Sequence, residues 1–147
     1  MSHLLFHLGE EQFAIAAQDI RAVLPLSHLE PLAAAPIHVA GLLRFRGVLI
    51  PVVDLMQLRG LGPSQWLMST RVVLLKCEPP HQLAILAEKA LEMIELETST
   101  DLPKSIVGEA RSWLVPRVYQ GSMGLVEVVD WRSLLTDELL LLVGRGA

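Results

Sequence analysis

The chain has 147 residues, of which 52% are hydrophobic and 19% charged, with a formal net charge of -4. That much apolar mass builds the core of one folded domain and excludes a disordered chain. No block of Lys or Arg exists to track a phosphate backbone or an anionic bilayer, so nucleic-acid and polybasic membrane binding are excluded, and single Cys77 excludes an internal disulfide.

The mean hydropathy of +0.45 raises the question of a membrane span. A spanning helix needs about 20 consecutive apolar residues. The best stretch, 22–43, is broken by Pro25, His28, Glu30, Pro31, Pro36 and His38. Residues 1–7 have no cationic region ahead of an apolar one, so no secretory signal is expected. The expectation is a cytoplasmic protein, without direct membrane insertion, whose apolar surfaces suit binding.

In chain order, residues 4–8 and 12–17 are short apolar runs around Gly9-Glu10-Glu11, which predicts a β-hairpin. Ile20, Val23 and Leu24 have helical spacing, and Pro25 would end that turn. Pro36 is expected to open a second turn through Ile37 and Ala40. Residues 48–53 form a third apolar run, in which Pro51 predicts an edge position or a bulge. Asp54 follows it and precedes Leu55 and Leu58, the pattern of a helix N-cap. Gly60-Leu61-Gly62-Pro63 reads as a helix stop and turn.

Residues 71–78 and 82–88 predict a second hairpin around Pro79-Pro80. The alternation of 91–97 slips phase at Met93-Ile94, which predicts a bulge there. Glu88, Glu92, Glu95 and Glu97 read as a solvated face. Gly121-Ser122-Met123-Gly124 is a hairpin turn, and 123–129 is the strand after it. Asp130 then repeats the N-cap pattern before Trp131 and Leu134, and Trp131 is expected in the core. Residues 136–143 predict a short C-terminal helix.

The chain repeats itself. Residues 4–26 align with 74–96 at an offset of 70: Leu4, Leu5, Gln12, Ala14, Ile15, Ala17 and Leu26 meet identical residues, and His7 falls opposite Cys77. Residues 49–58 resemble 125–134 at an offset of 76. Two matches in one order predict two copies of one unit, about 4–60 and about 74–135, within a single domain spanning 1–147. A two-copy repeat means paired subdomains rather than a solenoid.

Catalytic chemistry finds no support. The five His residues are scattered, and Cys77 and His81 lack the further ligands that a zinc site needs. No nucleophile elbow or phosphate loop is present. No enzyme activity, cofactor or metal is expected.

Residues 41–55, from Gly41 through Arg44-Phe45-Arg46-Gly47-Val48 to Pro51-Val52-Val53-Asp54-Leu55, resemble the signature of the CheW-like chemotaxis adapter family. That signature runs Gly-x-x-Asn-Leu-Arg-Gly-x-x-x-Pro-Val-x-Asp-Leu. Gly41, Arg46, Gly47, Pro51, Val52, Asp54 and Leu55 match it. Arg44 stands at the family's Asn, Phe45 at its Leu, and Met56 at a frequent Arg. In the second half Trp113-Leu-Val-Pro-Arg117-Val118 stands near the family's aromatic-x-Arg-Gly-Val without its Gly. The resemblance covers nearly the whole chain and marks a divergent member.

The resemblance implies a mainly β fold of two intertwined five-stranded SH3-like β-barrel subdomains with short helices. It implies a non-catalytic adapter that joins the cytoplasmic tip of a chemoreceptor to the regulatory domain of a CheA-type histidine kinase at receptor arrays. An accessory adapter of a surface-sensing or pilus-control array, or a stand-alone SH3-like peptide-binding module, are the alternatives. Arg46 is the foremost binding residue expected, with Gly47, Arg44 and Phe45 beside it. Ile37, Val39, Leu42, Leu43 and Val48 are expected to line an apolar docking surface between the two barrels. Asp54 and Asp130 are expected to be structural caps only.

Overall fold

The computed structural model describes residues 1–77, 82–103, 105–106 and 111–134. Pro79-Pro80 and the expected C-terminal helix lie outside them. β1 (Ser2–Leu8) and β2 (Glu11–Ala16) form an antiparallel hairpin turning at Gly9 and Glu10. β3 (Ile20–Pro25), β4 (Val39–Phe45) and β5 (Val48–Asp54) follow, and β5 runs into α1 (Leu55–Leu58). The second half holds β6 (Arg71–Leu75), the long β7 (Ala84–Glu95), β8 (Ser99–Asp101), β9 (Leu114–Gly121) and β10 (Gly124–Val129). A 3-10 turn, Trp131–Leu134, ends the described chain.

The pairings show that the two copies exchange strands. β1 and β2 do not complete their own half. β1 pairs antiparallel with the second part of β7, and β2 pairs parallel with β10. Conversely, β6 pairs with β3, and the first part of β7 pairs parallel with β5. One group is therefore β3, β4, β5, β6 and the start of β7. The other is β1, β2, the end of β7, β8, β9 and β10. Paired hydrogen bonds between Glu30 and Leu42, both 2.8 Å, bring the chain after β3 back to β4. In the second group Thr100 pairs with Val118 in the corresponding way. Each group thus curls toward a small barrel, giving the mainly β, intertwined architecture expected.

The registers correspond residue by residue. Leu43 faces Ile50 and Tyr119 faces Val126, both shifted by 76. The parallel pairs Val52–Ala84 and Val128–Ala14 correspond likewise. In the first strand the correspondence slips by one from the sequence alignment. Leu4 faces Ile15 while Val73 faces Ile85, so His7 corresponds to Lys76 and Leu8 to Cys77.

Three apolar clusters follow from the alternation of side chains along curved strands. Leu43, Ile50, Val52, Val72, Leu74 and Leu86 fill the first barrel. Leu5, Ala14, Leu96, Val126 and Val128 fill the second. Between the barrels lies the largest cluster, with Phe6, Phe13, Val53, Ile85, Trp113 and Trp131 among its members. Each fully buried Leu, Ile or Phe contributes about 1.5–3 kcal/mol, so the layer between the barrels is a main source of stability. Trp131 is buried as expected, whereas Trp66 is exposed.

Several local expectations are corrected. Residues 20–25 are a strand: Ile20, Ala22 and Leu24 pack inward while Arg21, Val23 and Pro25 face out. Tertiary pairing with β6 overrides the helical spacing. At Pro36 a single turn closes through Val39 N–H to the Pro36 carbonyl (2.9 Å), and β4 begins at once. β5 is no edge, since β4 and β7 flank it; Pro51 stands one residue before the β7 ladder starts. The bulge in β7 falls between the pairs His7–Glu88 and Leu5–Glu92, with Lys89 at φ 51, upstream of Met93. Glu88 is buried, and its carboxylate accepts the Gln65 N–H at 3.0 Å.

Candidate functional site

The signature segment is the β4–β5 hairpin. Along β4, Gly41 and Leu43 are buried, while Leu42 and Arg44 face outward. The two strands pair up to Phe45–Val48, which leaves Arg46 and Gly47 as a two-residue loop. Both have positive φ, 50° and 79°. That is the type I′ geometry whose twist matches a hairpin. Gly47 takes it at no steric cost, whereas Arg46 pays about 1–2 kcal/mol for a left-handed backbone. The loop places the Arg46 side chain at the hairpin tip, where it is exposed.

The tip is cationic and aromatic. The Arg46 guanidinium lies 5.0 Å from the Phe45 ring centroid, and that of Arg21, from β3, lies 5.6 Å from the same ring. Such contacts contribute about 0.5–1 kcal/mol at exposed sites. The half-buried ring also packs on the first barrel's core together with Val48. Phe45 thereby anchors two guanidiniums whose forks still face solvent. Arg44 pairs instead with Glu30, its single Nη2 lying 3.1 Å from each carboxylate oxygen. With side chains 60% and 39% exposed, that pair adds little stability. It fixes Arg44 beside the bridge between Glu30 and Leu42.

The other expected lining residues separate. Val39 joins the cluster between the barrels and Leu43 the interior of the first barrel, so neither offers surface to a partner. Leu42 is half-buried, and Ile37, in the loop before β4, is 75% exposed. Of the residues expected to line a groove between the barrels, Ile37, Leu42 and Val48 thus keep accessible surface. The surface next to Arg46 is the outward row of β3: Arg21 and, two residues on, the exposed Val23. Sequence reasoning missed both because it placed 20–24 in a helix. Reading the same residues with a period of two puts Arg21 and Val23 together on the outer face.

Asp54 and Asp130 cap the short turns after β5 and β10. Asp54 Oδ1 accepts the Met56 N–H at 3.0 Å, and Asp130 Oδ1 accepts the Arg132 N–H at 3.3 Å. Asp54 also accepts the Ser64 N–H and hydroxyl at 2.8 and 2.6 Å. Among the described residues no three His, Cys, Asp or Glu side chains gather into a metal-holding cluster, and no helix is long and apolar enough to cross a membrane.

Comparison with known proteins gives a consistent picture. A family profile described as "CheW-like domain" matches residues 2–138. The crystal structure of the scaffolding protein TtCheW from Thermoanaerobacter tengcongensis superposes with a TM-score of 0.78 at 16% identity, covering 93% of this chain and 89% of that one. No curated protein matches the sequence.

Proposed function

Because the chain belongs to the family of CheW-like domains, we propose that it is a non-catalytic cytoplasmic adapter that couples chemoreceptors to a CheA-type histidine kinase. The observation that carries the reading is the hairpin tip. A strained, exposed Arg46 and a solvent-facing Arg21 share one aromatic anchor, Phe45. This arrangement presents planar donor forks to a protein partner while keeping their stems ordered, which lowers the entropy lost on binding. The tip contacts acidic groups on the kinase regulatory domain or the receptor tip. The outward row of β3 supplies apolar area beside it. Coupling follows if receptor conformations favour different geometries of the bound kinase.

Calorimetric titration of the protein with a kinase regulatory domain, and separately with a receptor-tip fragment, tests the reading. Saturable binding to both, and a ternary complex by size-exclusion chromatography, is the expected result. Binding to neither fragment would leave a fold without this function.

A further inference from the structure

The loop between α1 and β6 turns apolar side chains outward. Trp66 is 58% exposed and Met68 97%, with Leu67 partly exposed between them. Buried polar groups nevertheless fix the loop. Ser64 is bonded to Asp54, and the Gln65 N–H donates to the buried Glu88 carboxylate at 3.0 Å. The buried Thr70 hydroxyl donates to the Gln65 carbonyl at 2.8 Å and accepts the Leu67 N–H at 3.0 Å. A bond from the Thr70 N–H to the Leu67 carbonyl, 3.0 Å, closes a β-turn with Met68 at its outer corner. Arg71 Nη1 donates to the Met68 and Thr70 carbonyls at 2.6 and 3.1 Å.

The Ala90 N–H bonds to the Ser69 carbonyl at 3.2 Å, so the turn lies against β7. Just past that contact Leu91 and Met93, alternate residues of β7, are also exposed. Loop and strand together present an apolar patch of roughly 500 Å², in the upper part of the ~300–600 Å² typical of the largest patch on a monomer. In a loose loop these side chains would fold inward. Here they are held out, and little ordering entropy remains to be lost on docking.

We propose that this patch pairs two copies of the chain about a two-fold axis, independently of the adapter reading. Two such patches face to face bury roughly 1,000 Å², enough for a weak specific contact and too little for an obligate dimer. The charges at the rim are self-complementary. Lys89 and Glu92 flank the patch on β7, both are exposed, and neither joins an ion pair among the described residues. A two-fold axis beside Leu91 runs the two β7 strands in opposite directions and sets Lys89 of each copy toward Glu92 of the other. One charge of each sign favours a second copy over a strongly cationic or anionic partner. The loop is anchored at Asp54, the end of β5 far from Arg46-Gly47, about 20 Å along the strand. Pairing through it leaves both hairpin tips open and makes the assembly divalent.

Sedimentation velocity of the whole protein, from low micromolar to submillimolar concentration, tests this. A reversible shift from monomer toward dimer is expected. Met68→Asp should weaken association by roughly tenfold or more, and the side chain is too exposed for the fold to depend on it. Lys89→Glu and Glu92→Lys should each weaken self-association. Mixed together, these two variants should associate more tightly than either alone, because both crossed pairs then have opposite signs. A monomer at every concentration, a dimer indifferent to Met68→Asp, or charge variants that gain nothing on mixing would each overturn the proposal. So would a monomer whose binding to a kinase regulatory domain is lost in Met68→Asp, which would assign the patch to that partner.

Discussion

Asp54 and Asp130 occupy corresponding positions at the ends of β5 and β10, yet only Asp54 is buried, at 3% exposure. The backbone N–H of each bonds to the carbonyl just before the preceding strand or at its margin, His38 for Asp54 (2.7 Å) and Trp113 for Asp130 (2.9 Å). The carboxylates differ. That of Asp130 serves its own turn, bonding Arg132 and Ser133. That of Asp54 also pins the loop at Ser64, ten residues on.

Unequal costs are expected for removing the two caps. Asp54→Ala strands the Ser64 donors and should destabilise by about 3 kcal/mol. Asp130→Ala should cost about 1 kcal/mol. Urea denaturation of both variants checks this. Equal losses would show that the Ser64 contacts contribute nothing.

Arg46→Ala should leave the melting temperature nearly unchanged, because the side chain is exposed and its backbone strained. It should weaken kinase or receptor binding by about 1–3 kcal/mol, the cost of leaving a partner's charged group unpaired. Arg46→Lys should recover part of this, since a point charge lacks the planar fork. Arg44→Asn should alter partner preference more than affinity, as Arg44 is already committed to Glu30. Calorimetry against each partner, with thermal melts as the folding control, separates these outcomes.

Gly41→Ala tests the closure of the first barrel. Gly41 has φ 153, and a Cβ there would stand 2.9 Å from the Glu30 carbonyl oxygen and 3.0 Å from Leu29 Cβ. Most of that obstruction is backbone held in the Glu30–Leu42 bridge, so it cannot swing aside. A loss of about 2 kcal/mol or more is expected by chemical denaturation. A neutral substitution would mean that the bridge opens freely.

His7 makes stability depend on pH. Burial, followed by repulsion from Lys89, pushes its pKa below the ordinary 6.5, against weaker opposing pulls from Glu88 and Glu92. Its Nδ1 is buried without a partner. The unfolded chain therefore binds the proton more readily than the folded one, and stability rises with pH through this window. The His7 contribution is fully present above pH 6.5 and is lost as pH falls toward the lower folded value. Melting temperatures from pH 7.5 to 5 should fall on the acid side, and less steeply in His7→Gln. Identical slopes would remove His7 as the cause.

Much of this was legible in the sequence. The repeat could be read from Gln12, Ala14 and Ile15 against Gln82, Ala84 and Ile85, because the same pleated positions demand the same apolar residues. The signature around Arg46-Gly47 could be read as a motif, but its place at a hairpin tip depends on β4, a strand with no sequence signal of its own. What stayed hidden depends on partners distant in the chain. Ile20, Val23 and Leu24 have a spacing that fits a helix as well as a two-faced strand, and only β6 decides between them. Glu88 resembles its acidic neighbours until the Gln65 N–H reaches it. Two of the residues expected to line a groove between the barrels were misjudged for a similar reason. Val39 and Leu43 are apolar whether they line a surface or fill a core, and the strand exchange buries both.

The exchange of strands also has a consequence during synthesis. β1 and β2 leave the ribosome before β7 and β10, but Ser2 pairs with Glu95 and Gln12 with Val126. At ~5–20 residues per second, about 5–20 s pass before β7 can reach β1, and longer before β10 reaches β2. Through that interval Leu4, Phe6, Phe13 and Ile15, all buried in the finished protein, sit on a lone hairpin, which is at best marginally stable in water. Until its partners emerge, the nascent chain thus exposes apolar surface of the kind that invites aggregation. Slowing translation within the second half would lengthen that exposure and reduce the soluble yield, although no residue of the mature protein would have changed.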